Sequence, residues 1–538
     1  MSVMVVAAFP GFSAAGDATD VAEEPRDWRV RGVECAVVQD GRSAAFDRVW
    51  KDVTVGRNRG LLLRFSLENV PLASSVNAVI RCKARTAREA LSPCLVVHEV
   101  TGSVEPGNEV KVARRLAEVA LKPGWEGLVS LPVTAAFLSG LPGETVTFLV
   151  EVLAPAEGEV VLSGAPELVL AKQEKFAFDA DQWLIPLWQT ATIIDETILP
   201  VAGDGKSPAA RLLFEPREIL SVRDYGLATN YAAGRDYAKG GRTVRLPESS
   251  AMPFLTRGQL FPADPGAKPG TKPALKGGYL AFGEGSFFTD HQSAVTYRTD
   301  EVWRGPVPAP SDDLLPRTFG KLRRGEPLKL VVFGDSISRG ASASGWVRRP
   351  PYLPPWPDLV GRRLTSHYGS VIDNYNLSLG GMRSDWGREH AAAFVAPLAP
   401  DLVIIGFGMN DAGAVTAEQF RENLESIMTE VRKANPRAEF LLLMTFQPNP
   451  AWRNPRAMTA YRDTLRSMEG PGVAVADLWE MHGELLGQKS YEDTTGNHVN
   501  HPNDFIVRLY AQVVLARLGV PTADEDGANG APVSKSNR

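Results

Sequence analysis

Cysteine is scarce in this chain of 538 residues: there are three, Cys35, Cys82 and Cys94, all in the first hundred positions. So few thiols exclude a disulfide scaffold and a CxxC metal protein, and remove cysteine chemistry from the rest of the chain. Cys82 and Cys94 would pair only in an oxidising compartment, and buried free thiols are the preferred reading. Basic runs are missing too. Lys+Arg 58 against Asp+Glu 63 gives a net charge of −5 with no clustered Lys/Arg segment, so no nucleic acid is expected as a partner. No stretch approaches about 18 uninterrupted apolar residues, so no membrane span is expected. What is present is ordinary for a globular protein: 44% hydrophobic and 22% charged residues. At about 150 residues per domain, the length is enough for three to four cores.

The first segment, MSVMVVAAFPGFSAA, is apolar and ends in small residues, with Ser13 and Ala15 spaced like the positions before a signal-peptidase cut. It lacks a charged n-region. Residues 1–20 are read as a truncated secretory signal whose start lies upstream of Met1, the alternative being an apolar leader. Export, to the periplasm or outside the cell, is the expectation.

From 25 to 172 the pattern is short runs with period-two alternation, such as Leu61, Leu63 and Phe65, or Val146, Phe148, Val150 and Val152, separated by turn clusters like Pro106-Gly107-Asn108. Alternation of that kind marks half-buried antiparallel strands, and a β-sandwich is expected. Residues 173–325 also read as β-rich, giving two β-domains of sandwich or jelly-roll type. The second holds a loop from Pro262 to Gly278 with four prolines and four glycines, expected to be exposed, mobile and without a regular ladder.

At Leu328 the pattern changes. Near-continuous apolar runs at 328–333, 371–377, 402–407, 439–445 and 473–477 alternate with helix-period segments, as doubly covered parallel strands require. The spacing predicts a three-layer α/β domain over 326–520, flavodoxin-like, on a five-stranded parallel sheet. One helix is legible in detail: Thr416 and Gln419 form a capping box, Phe420, Leu424, Ile427 and Val431 share a face, and Asn435-Pro436 ends it. The polar tail 521–538 is expected to be disordered.

In an open parallel sheet the ligand lies beyond the carboxyl ends of the strands. Standing there are Gly334-Asp335-Ser336, Gly380-Gly381 and Gly408-Met409-Asn410-Asp411, while His501-Pro502-Asn503 precedes the last helix. Together they offer a hydroxyl nucleophile, a backbone donor, a side-chain amide and a base. A serine hydroxyl needs such a base, and His501 is the candidate. An oxyanion formed by attack on an ester would be met by the N–H groups of Ser336 and Gly381 and the Asn410 amide, with Gly380 an open alternative to Gly381. Each residue also has a plain structural reading: Ser336 or His501 as a helix cap, Asn410-Asp411 as a turn. Asp335 is read as holding its loop.

These four blocks, FGDSIS, LSLGGMRSDWG, FGMND and NHVNHPND, resemble those of the SGNH, or GDSL-type, hydrolases, and the likeness spans about Leu328 to Gly519. It implies that family's fold and its ester-hydrolysing activity. The LLLRFSL and NAVIR runs near the N-terminus resemble the DNRLRE β-sandwich modules, which implies an accessory module, either carbohydrate-binding or a purely structural spacer. The layout as a whole looks like that of carbohydrate acetylesterases, implying removal of O-acetyl groups from a polysaccharide or oligosaccharide through an acyl-enzyme. A lipid esterase or thioesterase, or a non-catalytic carbohydrate-binding protein on a degenerate hydrolase fold, are the alternatives.

One departure stands out. The family usually places an Asp three residues before the catalytic His, and His498 stands there instead. Asp493 reaching in, His498 or a main-chain carbonyl orienting the ring, and a Ser–His dyad all compete, and the dyad with a non-carboxylate orienter is preferred. Arg383, Trp386 and Asp411 are the candidate substrate-binding residues, with Trp346, Tyr352 and Trp356 as further aromatics for a sugar face. His498-x-x-His501 lacks the rest of a ligand set, so no metal and no cofactor is expected. An acetylated carbohydrate is the expected partner, and the oligomeric state is left open.

Overall fold

The computed structural model describes residues 27–520 apart from 31–32, 40–41, 46–51, 56–58, 68–75, 87–93, 102–103, 122–123, 125, 134–144, 154–158, 173–179 and 204. The expected signal segment and the C-terminal tail lie outside the described residues. The chain divides into two compact units, 1–175 and 176–538.

The first unit is built from two antiparallel sheets. One joins strands Asp27–Val30, Val160–Lys172, Val76–Thr86 and Glu126–Pro132, with Val53–Val55 also paired to Val160–Lys172; the other has six strands, with Arg59–Ser66 next to Thr145–Leu153. Alternate residues from both sheets share one core: Leu61, Leu63, Phe65 and Phe148 from one, Ile80, Cys82, Leu131 and Leu162 from the other. Period-two alternation puts one face of each strand into that core. Cys82 is a free thiol within it, and burial pushes its pKa up to about 12. Cys82 thus carries the free thiol expected of it.

In the second unit five parallel strands, Leu328–Gly334, Ile372–Asn376, Leu402–Gly406, Glu439–Met444 and Val473–Asp477, lie in the order second, first, third, fourth, fifth. The first, third and fourth are buried almost throughout, which is why they read as unbroken apolar runs. The direction of travel reverses after the second strand. Right-handed crossovers then place helix Trp356–Tyr368 on one face and helices Ser384–Phe394 and Ala417–Ala434 on the other. The first packs against the last helix, Asp504–Arg517, and the other two pack together. Thr416 and Gln419 form the expected capping box on Ala417–Ala434. None of the described helices is long and apolar enough to cross a membrane.

The stretch expected as a second β-domain, 173–325, lies in the same compact unit as the parallel sheet. It forms a three-stranded sheet of Thr192–Ile198, Ser293–Thr299 and Pro216–Asp224, a five-stranded sheet, and a two-stranded ladder. Polar contacts tie it down. Buried Glu196 pairs with buried Lys489 and accepts hydrogen bonds from Tyr297 Oη (2.6 Å) and Leu213 N (2.8 Å). Leu199 N donates to Asp493 at 2.7 Å, and Asp504 N donates to Tyr225 Oη at 2.9 Å.

The Pro/Gly-rich loop departs from expectation. Thr271–Pro273 pairs antiparallel with Tyr279–Ala281. Leu275 N donates to Ala451 O at 2.8 Å and Phe282 N to Gly270 O at 2.8 Å. The glycines turn the chain between the two strands: Gly277 and Gly278 take φ of +88° and +75°. Pro273 needs no ladder N–H at the edge of so short a pair.

Candidate active site

The site is assembled at the carboxyl ends of the first and third parallel strands. Asp335, not Ser336, caps the short helix Ser336–Arg339: its Oδ1 accepts from Ile337 N at 2.9 Å. That frees the Ser336 hydroxyl. The neighbouring turn is pinned to the same strand end by Leu379 N, which donates to Gly334 O at 3.0 Å. A Cβ on Gly380 would come 3.7 Å from the Ser336 Cβ, so the glycine pair lies beside the serine. Gly381 takes φ +78° with nothing within 4 Å of a Cβ there, so the backbone and not the space calls for glycine.

Asn410 joins this turn: one amide hydrogen is donated to Met382 O at 3.0 Å. An amide carries two, which leaves the second for an anion. Asp411 holds the loop from beneath. Fully buried, it accepts from Ser384 N (2.9 Å), from the Ser384 hydroxyl and from Gly408 N (3.0 Å). Its partners are all within the protein, so Asp411 is a loop anchor and not a substrate ligand.

His501 reaches Ser336 from the last loop, with Nε2 2.8 Å from Oγ. It does not cap the final helix; Asn503 does. Asn497 Oδ1 accepts from the N–H groups of Val499, Asn500 and His501, each at 2.9 Å, and so sets the loop's curvature. On the other edge of the ring, Nδ1 lies 2.8 Å from Glu284 Oε2. The contact is an ion-pair approach in which the N–H is not aligned on the oxygen. Burial pushes the Glu284 carboxyl up, but His501, Asn497 and Lys272 more than offset this and hold it below the usual carboxylate range.

Glu284 follows the hairpin of the Pro/Gly-rich loop, in the segment Gly283-Glu284-Gly285. Sequence reasoning missed it. Both expected orienters are elsewhere. Asp493 accepts from Leu199 N (2.7 Å) and Ser490 N (3.1 Å), and burial pushes it up to about 6 against the pull of Lys489. His498 turns its ring to Ala281 O (3.0 Å) and Glu492 (3.4 Å). The preferred dyad without a carboxylate is thus corrected: a carboxylate is present, supplied by a distant segment.

The expected sugar-facing residues divide. Trp386 packs with Phe333, Phe407 and His390, and Trp356 is fully buried, stacked on Tyr510. These two support the fold. Arg383 is exposed but paired with Asp385 two residues on, and Trp346 is exposed with Arg339 over its ring. Arg453 donates to Met409 O beside Asn410 and lies over Trp452 at 4.3 Å. Sequence reasoning missed this pair, because no local pattern marks it.

A hydroxyl against an imidazole, a carboxylate on the far edge of the ring, and an amide and glycine turn beside the hydroxyl form the constellation of a base-activated acyl-transfer centre. Residues 332–506 match the family described as GDSL-like Lipase/Acylhydrolase. The C-terminal part of the chain is a GDSL-like hydrolase domain. Among solved structures, the chain is similar to a two-domain esterase active on acetylated mannans, crystallised with mannopentaose, at 22% identity over 40% of this chain and 55% of that one, TM-score 0.32. It is similar to a variant of an acetyl-xylooligosaccharide esterase from Geobacillus Stearmophilus, at 21% identity over 37% of this chain and 97% of that one, TM-score 0.32. A carbohydrate esterase family 3 protein from Talaromyces cellulolyticus is similar at 19% identity over 35% of this chain and 94% of that one, TM-score 0.28. The chain spans little more than half the length of the two-domain esterase structures, 55% and 57%. Among curated proteins none matches. In the GDSL-like domain the serine, glycine and asparagine blocks follow strand ends and the histidine comes from the loop before the last helix, while Glu284 lies outside residues 332–506.

Proposed function

We propose that the chain is an exported serine esterase that removes O-acetyl or similarly small acyl groups from a polysaccharide or oligosaccharide. The observation that carries the chemistry is the contact of 2.8 Å between Ser336 Oγ and His501 Nε2, with Glu284 Oε2 2.8 Å from Nδ1. His501 takes the Ser336 proton as Oγ bonds to the ester carbonyl carbon. The tetrahedral oxyanion is met by the second Asn410 N–H and by backbone N–H groups of Ser336 and the glycine turn, donors of a kind worth about 3–4 kcal/mol each. His501 then protonates the departing sugar oxygen, the C–O bond breaks, and an acyl-Ser336 remains. Water, deprotonated by His501, attacks that ester and returns the serine with a carboxylic acid. Glu284 keeps the proton of the neutral ring on Nδ1 and stabilises the imidazolium that forms.

The carbohydrate reading is supported by a polar border, with the exposed Arg383–Asp385 pair, half-exposed Glu284 and the Arg453–Trp452 pair next to Asn410. The first unit would then serve as an accessory module on the same substrate. A non-catalytic reading rested on the lack of an acid, and Glu284 removes that ground. The test is acetate release from a panel of acetylated plant and microbial polysaccharides, with Ser336→Ala as control, alongside 4-nitrophenyl esters of increasing chain length. Release lost in Ser336→Ala and rates falling beyond short chains fit the proposal. Preference for long acyl chains without release from any polysaccharide would replace it with a lipid esterase.

A further inference from the structure

Glu284 sits on a short segment between two glycines, outside the strands that fix Ser336, so something must hold its carboxylate against His501. We propose that His498 is a positioning residue that clamps the chain on both sides of Glu284 and so fixes the acid at the catalytic imidazole. This rests on reading Ser336, His501 and Glu284 as a hydrolytic triad.

His498 is fully buried, and it belongs to the same loop as His501, three residues earlier. Its backbone is fixed: N donates to Thr495 Oγ1 at 2.9 Å and O accepts from Asn449 Nδ2 at 2.8 Å. The residue takes φ +66°, a conformation that histidine and asparagine tolerate better than most side chains. From this anchor the ring grips two points. Nδ1 lies 3.0 Å from Ala281 O, and because a carbonyl only accepts, Nδ1 carries the hydrogen. The ring face lies against Phe288, centroids 5.2 Å apart, with Phe261 at 5.6 Å on another side. Ala281 precedes Glu284 by three residues and Phe288 follows it by four, so both ends of the acid-bearing segment are tied to one side chain. Nε2 lies 3.4 Å from Glu492 Oε1. One rigid loop thus carries both the base and the clamp on its acid, and the position three before the base serves the acid without supplying it.

The experiment compares four variants of the full chain on 4-nitrophenyl acetate: Glu284→Gln, His498→Phe, His498→Asn and the double variant Glu284→Gln/His498→Phe. Glu284→Gln is expected to lower kcat by about 100-fold or more. Phe keeps the ring contacts but loses the hydrogen bond to Ala281 O and the contact with Glu492, and kcat is expected to fall about 10- to 100-fold with KM within about threefold. Asn keeps a donor at the Nδ1 position and accepts the positive φ but gives up the packing on Phe288, so its kcat is expected to fall only about 3- to 10-fold, less than in Phe. In the double variant kcat is expected within about threefold of Glu284→Gln alone, because the clamp then has nothing to position. A His498→Phe loss that multiplies fully onto Glu284→Gln, or equal losses in Phe and Asn, overturns the clamp. An unchanged kcat in Glu284→Gln overturns the triad reading itself. Should His498→Phe not fold, Phe288→Leu tests the other grip by the same comparison with and without Glu284→Gln.

Discussion

Glu284 Oε2 and Ser336 Oγ contact opposite edges of one imidazole, each 2.8 Å from its own nitrogen of His501. The serine and histidine come from the GDSL-like domain and the acid from a hairpin loop that precedes it in the chain. The site therefore depends on the packing of residues 192–299 against the parallel sheet, and its residues respond differently when perturbed.

The amide of Asn410 and the glycine turn act after attack begins, when charge sits on the carbonyl oxygen. Asn410→Ala is expected to lower kcat by about 100- to 1,000-fold with little change in KM. Gly381→Ala meets no atom but carries the strain of φ +78°, so it is expected to cost about 1–2 kcal/mol of stability and to lower kcat by moving the turn. Steady-state kinetics with urea titrations separate the two effects.

Activity is expected to fall on the acid side, because only a neutral His501 accepts the serine proton. Glu284, held below the usual carboxylate range, stays ionised from pH 5 to 8, so kcat/KM should fall with a limb of unit slope. A flat kcat/KM from pH 5 to 8 in the parent would remove His501 from the base role.

Asp335 links the site to stability. Burial pushes its carboxyl up to about 7, partly offset by the Ile337 N–H and His501, and its Oδ2 has no hydrogen-bond partner among the described residues. The folded state keeps this proton at pH values where the unfolded chain has released it. Its contribution is fully present below about pH 4 and is lost as pH rises through about 7. The melting temperature of Asp335→Asn minus that of the parent should therefore grow between pH 5 and 8, read by calorimetry. A constant difference contradicts the raised carboxyl.

Lys489 and Glu196 are both fully buried and join the β-rich segment to the end of the GDSL-like domain. Lys489→Met leaves Glu196 with hydrogen bonds from the Tyr297 hydroxyl and Leu213 N–H but without the cation paired to it. A loss of about 3–5 kcal/mol in urea unfolding is expected. Lys489→Met combined with Glu196→Gln should recover part of it.

Much of this was legible in the sequence, and what was hidden has a physical reason. Ser336, Asn410 and His501 stand in short local blocks at strand ends or before a helix, where pattern alone places them. The apolar runs gave the five parallel strands because strands covered on both faces tolerate few polar residues. Glu284 left no such mark. A catalytic acid needs only a carboxylate within reach, and the hairpin that delivers it hides in a segment whose prolines and glycines read as an irregular loop. The available signal was indirect: His498 in the usual place of the acid left the orienter of His501 open. Trp386 and Trp356 misled because a tryptophan near a strand end reads alike whether it faces sugar or core.

The most direct measurement is covalent labelling with a fluorophosphonate, which phosphonylates only an activated serine, followed by peptide mapping. The account predicts one adduct per chain, on Ser336, formed rapidly in the parent and at least about 100-fold more slowly in His501→Ala. An adduct elsewhere, or labelling of Ser336 unaffected by His501→Ala, would contradict it.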